Sequence, residues 1–140
     1  MPEILHQLTI RARPAQVYRA LTTAEALAAW WTRDVVAEPA IGSVAQFGFN
    51  RREVVFRMFV QELEEEKRVR WRCLGGHPEW KDTEITLSLS AVADGTVVRF
   101  AHGGWKSSDG ILAVCSFDWA CYLASLKRYL ETGCGSPHPG

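Results

Sequence analysis

Residues 110–132 read GILAVCSFDWACYLASLKRYLET. Within this stretch Leu112, Cys115, Trp119, Tyr122, Leu123, Leu126 and Leu130 recur with a period near 3.6. That spacing predicts one long helix with an apolar stripe. Gly133 is placed to cap its C-terminus, and Ser107, Ser108 and Asp109 offer capping side chains ahead of it. At 1.5 Å per residue such a helix is about 30 Å long. It is the only long helix pattern in the chain, so the fold depends on what its stripe covers.

The residues before it alternate. Toward the N-terminus, Val98, Phe100 and His102 share a face of a strand over Thr96 to His102, which Gly103-Gly104 ends. Asp94-Gly95 is a strong hairpin signal, joining this strand to another over Asp82 to Ala91. Gly75-Gly76-His77-Pro78 reads as a loop. In Lys67 to Leu74, Arg68, Arg70 and Arg72 alternate with Val69, Trp71 and Cys73, so one face is wet and the other dry. Glu53 to Leu63 and Val44 to Phe49 are further strands, and Glu3 to Arg11 is the first, with Ile4, His6, Leu8 and Ile10 on one face. Two short helices follow that first strand. Pro14 opens one, where its missing N–H costs nothing. Thr23 caps the other, whose buried face carries Leu27, Trp30 and Trp31.

A sheet with one dry face needs a cover, and only the last helix is long enough to supply it. The expected architecture is α+β: a curved antiparallel sheet of about six to seven strands wrapped on a long C-terminal helix, with two short helices after the first strand plugging one end. Residues 1–133 are expected to form a single domain, and the Gly/Pro-rich residues 134–140 a flexible tail.

Composition narrows the function classes. The 140 residues carry 16 basic and 16 acidic side chains, so a general attraction to nucleic acid or anionic membrane is not supported. No run of 18 apolar residues is present, and the start Met1-Pro2-Glu3-Ile4-Leu5-His6 lacks a basic region followed by an apolar one, which points to a cytoplasmic protein. Cys73, Cys115, Cys121 and Cys134 form no C-x-x-C pair and read as reduced thiols rather than a zinc site. The near-zero net charge fits a monomer or a weak homodimer.

Six Trp, six Phe and three Tyr are more ring bulk than a small core needs. Phe47, Phe49, Phe56 and Met58 fall on dry strand faces, as do Trp71, Ile85, Leu87, Phe100 and His102. Trp119, Tyr122 and Leu123 face back from the helix, and Trp31 closes one end. These side chains either pack a solid core or line a cavity for a small apolar or aromatic guest. Trp80 and Trp105, near loops at the sheet ends, either rim that cavity or seal the core; Trp105 is placed among its lining. His102 is the sharpest single residue. It is an anchor for a guest, an acid/base with Tyr122 as donor, or a buried imidazole satisfied at a strand end. Asp118 reads as a solvent-side residue or an ion-pair partner, and Glu84 as facing water. The Arg68, Arg70, Arg72 comb beside Glu62, Glu64, Glu65 and Glu66 reads as cross-strand pairing.

The run Ile10-Arg11-Ala12-Arg13-Pro14-Ala15-Gln16-Val17-Tyr18-Arg19-Ala20-Leu21-Thr22, continuing to Glu25, Leu27 and Trp30-Trp31, resembles the START-like (SRPBCC) superfamily. More closely, the chain is similar to bacterial proteins named after the activator of the heat-shock-protein-90 (Hsp90) ATPase. Trp80 with Thr83, Gly95-Thr96-Val97-Val98, His102-Gly103-Gly104-Trp105, and Trp119 with Leu123, Leu126, Lys127 and Leu130 carry the same resemblance in order. It implies a helix-grip fold with a deep hydrophobic cavity, and neither a cofactor nor a shared catalytic set. Members of the superfamily bind lipids, hormones or polyketides, and a few are cyclases or hydratases. In the eukaryotic co-chaperone a separate domain grips the chaperone, and no such second domain is expected within these 140 residues. The functional expectation is therefore binding of a small hydrophobic or aromatic molecule. A cyclase- or hydratase-like enzyme using His102 and a chaperone-contacting module are the alternatives.

Overall fold

The computed structural model describes residues 1–140. Ten elements follow one another: β1 (Ile4–Ile10), α1 (Pro14–Thr22), α2 (Ala24–Trp30), β2 (Asp34–Val36), β3 (Val44–Phe49), β4 (Val54–Glu64), β5 (Arg68–Gly75), β6 (Glu84–Val92), β7 (Gly95–Gly103) and α3 (Leu112–Thr132). All seven strands form one antiparallel sheet in the order β1-β7-β6-β5-β4-β3-β2. Every neighbour except β1–β7 is consecutive in the chain, so β1 closes the meander on its last strand.

The alternation seen in sequence becomes two faces. On β5, Val69, Trp71 and Cys73 are buried while Arg72 is exposed. Arg68 and Arg70 reach Glu62 at 3.8 Å across the sheet, the cross-strand pairing expected of the comb. Register shifts at Arg57/Met58 and Val60/Glu62 interrupt the β4–β5 ladder. Such bulges bend a strand, and here they help curl the sheet around α3. The stripe of α3 buries Cys115, Trp119, Leu123 and Leu126 against the concave side.

The helix ends follow local chemistry. Thr23 Oγ1 accepts from the Ala26 N–H, the expected cap of α2. Gly133 sits at φ 87° and caps α3 in the left-handed region, where a side chain is strained. Gly104, at φ 88°, makes the sharp exit from β7, whereas Gly103 is an ordinary strand residue.

Three local expectations change, and one short strand is added. The β6–β7 turn falls on Ala93-Asp94, one residue earlier than the Asp94-Gly95 pair, because Gly95 already pairs with Val92. The start of α3 is capped not by Ser107, Ser108 or Asp109 but from another loop: Glu79 accepts from the Ile111 N–H at 3.2 Å. The edge strand β2 is only three residues long and shows no alternation. Finally, residues 134–140, expected as a flexible tail, are tied to the body. His138 bridges to Thr32, its N–H donates to the Trp31 carbonyl at 2.8 Å, and Ser136 N–H donates to Ser125 Oγ at 2.7 Å. Those partners belong to elements far away in sequence, which is why composition alone suggests fraying.

Candidate functional site

His102 lies at the end of β7 and is fully buried. Its Nδ1 accepts from the Trp119 indole N–H at 3.1 Å, so Nε2 carries the proton and donates to Thr83 Oγ1 at 2.8 Å. Thr83 passes its own proton to the Trp80 carbonyl. Burial pushes the imidazole down to about 3, well below its usual 6.5, so it is neutral. Both nitrogens are committed to the protein. His102 therefore pins sheet, loop and helix together through both ring nitrogens.

The open space lies elsewhere. A cleft of about 240 Å³ runs between the β3–β4 end of the sheet and the first half of α3. Five aromatic side chains close a circuit around it. Trp31 meets Phe49 at 6.3 Å between ring centres, Phe49 meets Phe56 at 5.8 Å, and Phe56 meets Trp80 at 4.1 Å. Trp80 meets Trp119 at 6.0 Å, and Trp119 returns to Trp31 at 5.0 Å. Such offset and edge-on arrangements are the favoured ones, so the wall is held by its own packing. Trp80 is further fixed by its indole N–H, which points to Cys115 Sγ at 3.3 Å.

Polar groups join the lining. They are Asp118, Tyr122, Asn50, Cys115 and His138, with Ile111 completing the wall. Burial raises the Tyr122 hydroxyl and the Cys115 thiol, and the Asp118 charge adds to both. At neutral pH the thiol is therefore protonated and weakly nucleophilic. Asp118 is the one carboxylate in the lining, and no Lys or Arg lines it. No group of three or more His, Cys, Asp or Glu side chains is placed to hold a metal ion.

Of the residues expected to face a guest, Trp31, Phe49, Phe56, Trp119 and Tyr122 do line this cleft. Met58, Ile85, Leu87 and Leu123 are buried as solid core, and Trp105 is buried behind Trp80 with its indole N–H on the His102 carbonyl. Phe100 is covered by Trp119 at 4.6 Å. Phe47 and Trp71 border a separate crevice of about 10 Å³, room for roughly one water. The physical reason is shared: Trp119 and the α1–α2 end fill the middle of the sheet, which leaves space only toward β3 and β4. Cys115 and Ile111 lie one and two turns before Trp119 on the stripe, and that period is the signal that could have found them. Asn50 and His138 have no such signal, since a turn and a returning tail bring them in.

A curved sheet gripping a long helix over an aromatic-walled cleft defines a helix-grip protein. The sequence matches the family described as activator of Hsp90 ATPase homolog 1-like protein over residues 11–131, and the chain belongs to that family. It is similar to the Aha1 protein of Colwellia psychrerythraea, whose solution structure is that of a dimer, with 38% identity and a TM-score of 0.89 over 96% of this chain and 100% of that one. A Staphylococcus saprophyticus protein shares the fold at 18% identity, with a TM-score of 0.81 over 96% of each chain. DynU16, a putative protein in the dynemicin biosynthetic locus, shares it at 22% identity, with a TM-score of 0.80 over 95% of this chain and 48% of that one. No curated protein matches the sequence.

Proposed function

We propose that the protein binds a small hydrophobic or aromatic molecule in the cleft between the sheet and α3. The observation that carries this is the closed circuit of five rings around open space in a core that is otherwise filled. A dry cavity of about 150 Å³ is enough to hold benzene, and this cleft, at about 240 Å³, is larger. A neutral naphthylamine-type fluorescent probe should bind saturably at one site. Ile111→Trp, which places an indole in the cleft, should abolish that binding while the far-ultraviolet circular dichroism stays unchanged. Undiminished binding by a folded Ile111→Trp protein would move the site elsewhere.

A second reading is a chaperone-contacting module. Val114 and Phe117, one turn apart on the outer side of α3, are 61% and 72% exposed, a placement that suits a contact with another protein. The likeness to a protein named Aha1 points the same way. The host's Hsp90 homologue should then turn over ATP faster with the protein in excess, and less so with Phe117→Asp. An unchanged rate would remove the reading for that partner. We also propose that the chain forms a homodimer, as the Colwellia protein does.

A further inference from the structure

We infer that the cleft selects a guest bearing a positively charged nitrogen, a quaternary ammonium or protonated amine on a compact apolar or aromatic body. This rests on the binding reading above and narrows it to a chemical class. Two features of the same site support it.

The first is the wall. Trp31, Phe49, Phe56, Trp80 and Trp119 all line the space and contact one another in a closed circuit. Ring faces carry negative electrostatic potential, and enclosure by several rings is how proteins recognise alkylated ammonium groups. A neutral guest gains the same apolar burial but makes no use of that potential.

The second is Asp118. It lies on α3 one turn after Cys115 and one turn before Tyr122, and it lines the cleft. None of the protein's ion pairs includes it; the cations of Arg11, Arg52, Lys67, Arg68, Arg70 and Lys127 are spent on other carboxylates. Its charge is felt inside the site, since it raises both Tyr122 and Cys115. No Lys or Arg is present in the lining to answer a negative guest. His138 also lines the site, and its Nδ1 accepts the Gly140 N–H at 3.0 Å. A carboxylate-headed guest such as a fatty acid would therefore meet Asp118 with no Lys or Arg in the lining to offset it.

Three probes of similar size test this by nuclear magnetic resonance titration at neutral pH and low salt: phenyltrimethylammonium, its neutral isostere tert-butylbenzene, and benzoate. The cation is expected to bind about tenfold more tightly than the isostere, a difference of about 1.4 kcal/mol, and benzoate most weakly. Asp118→Asn, at an exposed position that leaves the fold intact, should erase most of the cation's advantage over tert-butylbenzene. Equal affinity for cation and isostere, or an unchanged cation preference in Asp118→Asn, would overturn the charge selection while leaving apolar binding standing. Failure of all three probes to bind would overturn the binding reading itself.

Discussion

His102 holds three parts of the chain through two ring nitrogens. The carbonyl of the same residue takes the Trp105 indole N–H at 3.1 Å, so a fourth part hangs on it. Sequence offers a strand-end histidine followed by two glycines, which fits an anchor, a catalyst or a buried imidazole equally well. What separates them is the identity of its partners, Thr83 and Trp119, which lie 19 and 17 positions away; the stripe marks Trp119 as inward but not as the partner of His102. Above pH 6.5 the ring is neutral whether folded or unfolded, and its contribution is complete. Below that, the unfolded chain takes a proton that the folded ring refuses until about pH 3, so stability falls as the pH drops through this window. His102→Phe should cost about 1–3 kcal/mol at pH 7, because Thr83 and Trp119 lose a buried partner. The same variant should lose less stability than the parent between pH 7 and pH 4, measured by urea unfolding. Equal acid losses in the two proteins would mean that the ring is not held neutral.

Helix α3 shows what element-scale reading delivers. Its extent and buried stripe follow from period alone, and Gly133 marks its end. Its start does not, because the cap comes from Glu79 on a different loop, an arrangement that only folding creates. The far end is fastened in the same long-range manner. Glu131 accepts the Arg11 N–H at 2.8 Å and the Lys127 ammonium at 3.1 Å, while Lys127 also reaches the Thr9 carbonyl. These bonds tie the last turn of α3 to the end of β1, and they hold the Glu131 carboxyl below its usual range, the Arg11 N–H first among the causes. Glu131→Ala should lower stability by about 1–2 kcal/mol, as expected for loss of hydrogen bonds to a charged group. The loss should shrink as acid protonates the parent's carboxylate. A variant as stable as the parent at pH 7 would show that this clamp contributes nothing. The strand β2 and the returning tail were illegible for a related reason. Three residues cannot show alternation, and the tail's partners are Trp31, Thr32 and Ser125, remote in sequence.

At the scale of the whole molecule, the class of fold is written in periodicity: alternating strands, two short helices after the first, and one long stripe. The richness in rings is also plain from composition. Where those rings leave space is not, because that depends on which side chain fills the middle of the curved sheet. Trp119 does so from α3 and covers Phe100, so only five of the expected lining residues face open volume. The tail then adds His138 to the wall, packed on Phe49 at 4.9 Å between ring centres. We propose this one cleft as the binding site. The most direct test is a two-dimensional nitrogen–proton spectrum of the six indole groups during titration with a compact aromatic guest. Trp31, Trp80 and Trp119 should shift together and saturate at one guest per chain. Trp30 and Trp105, whose indole N–H groups are bonded to the Ala20 and His102 carbonyls, should move little. Unchanged indole signals, or equal shifts at Trp30 and Trp105, would contradict the claim.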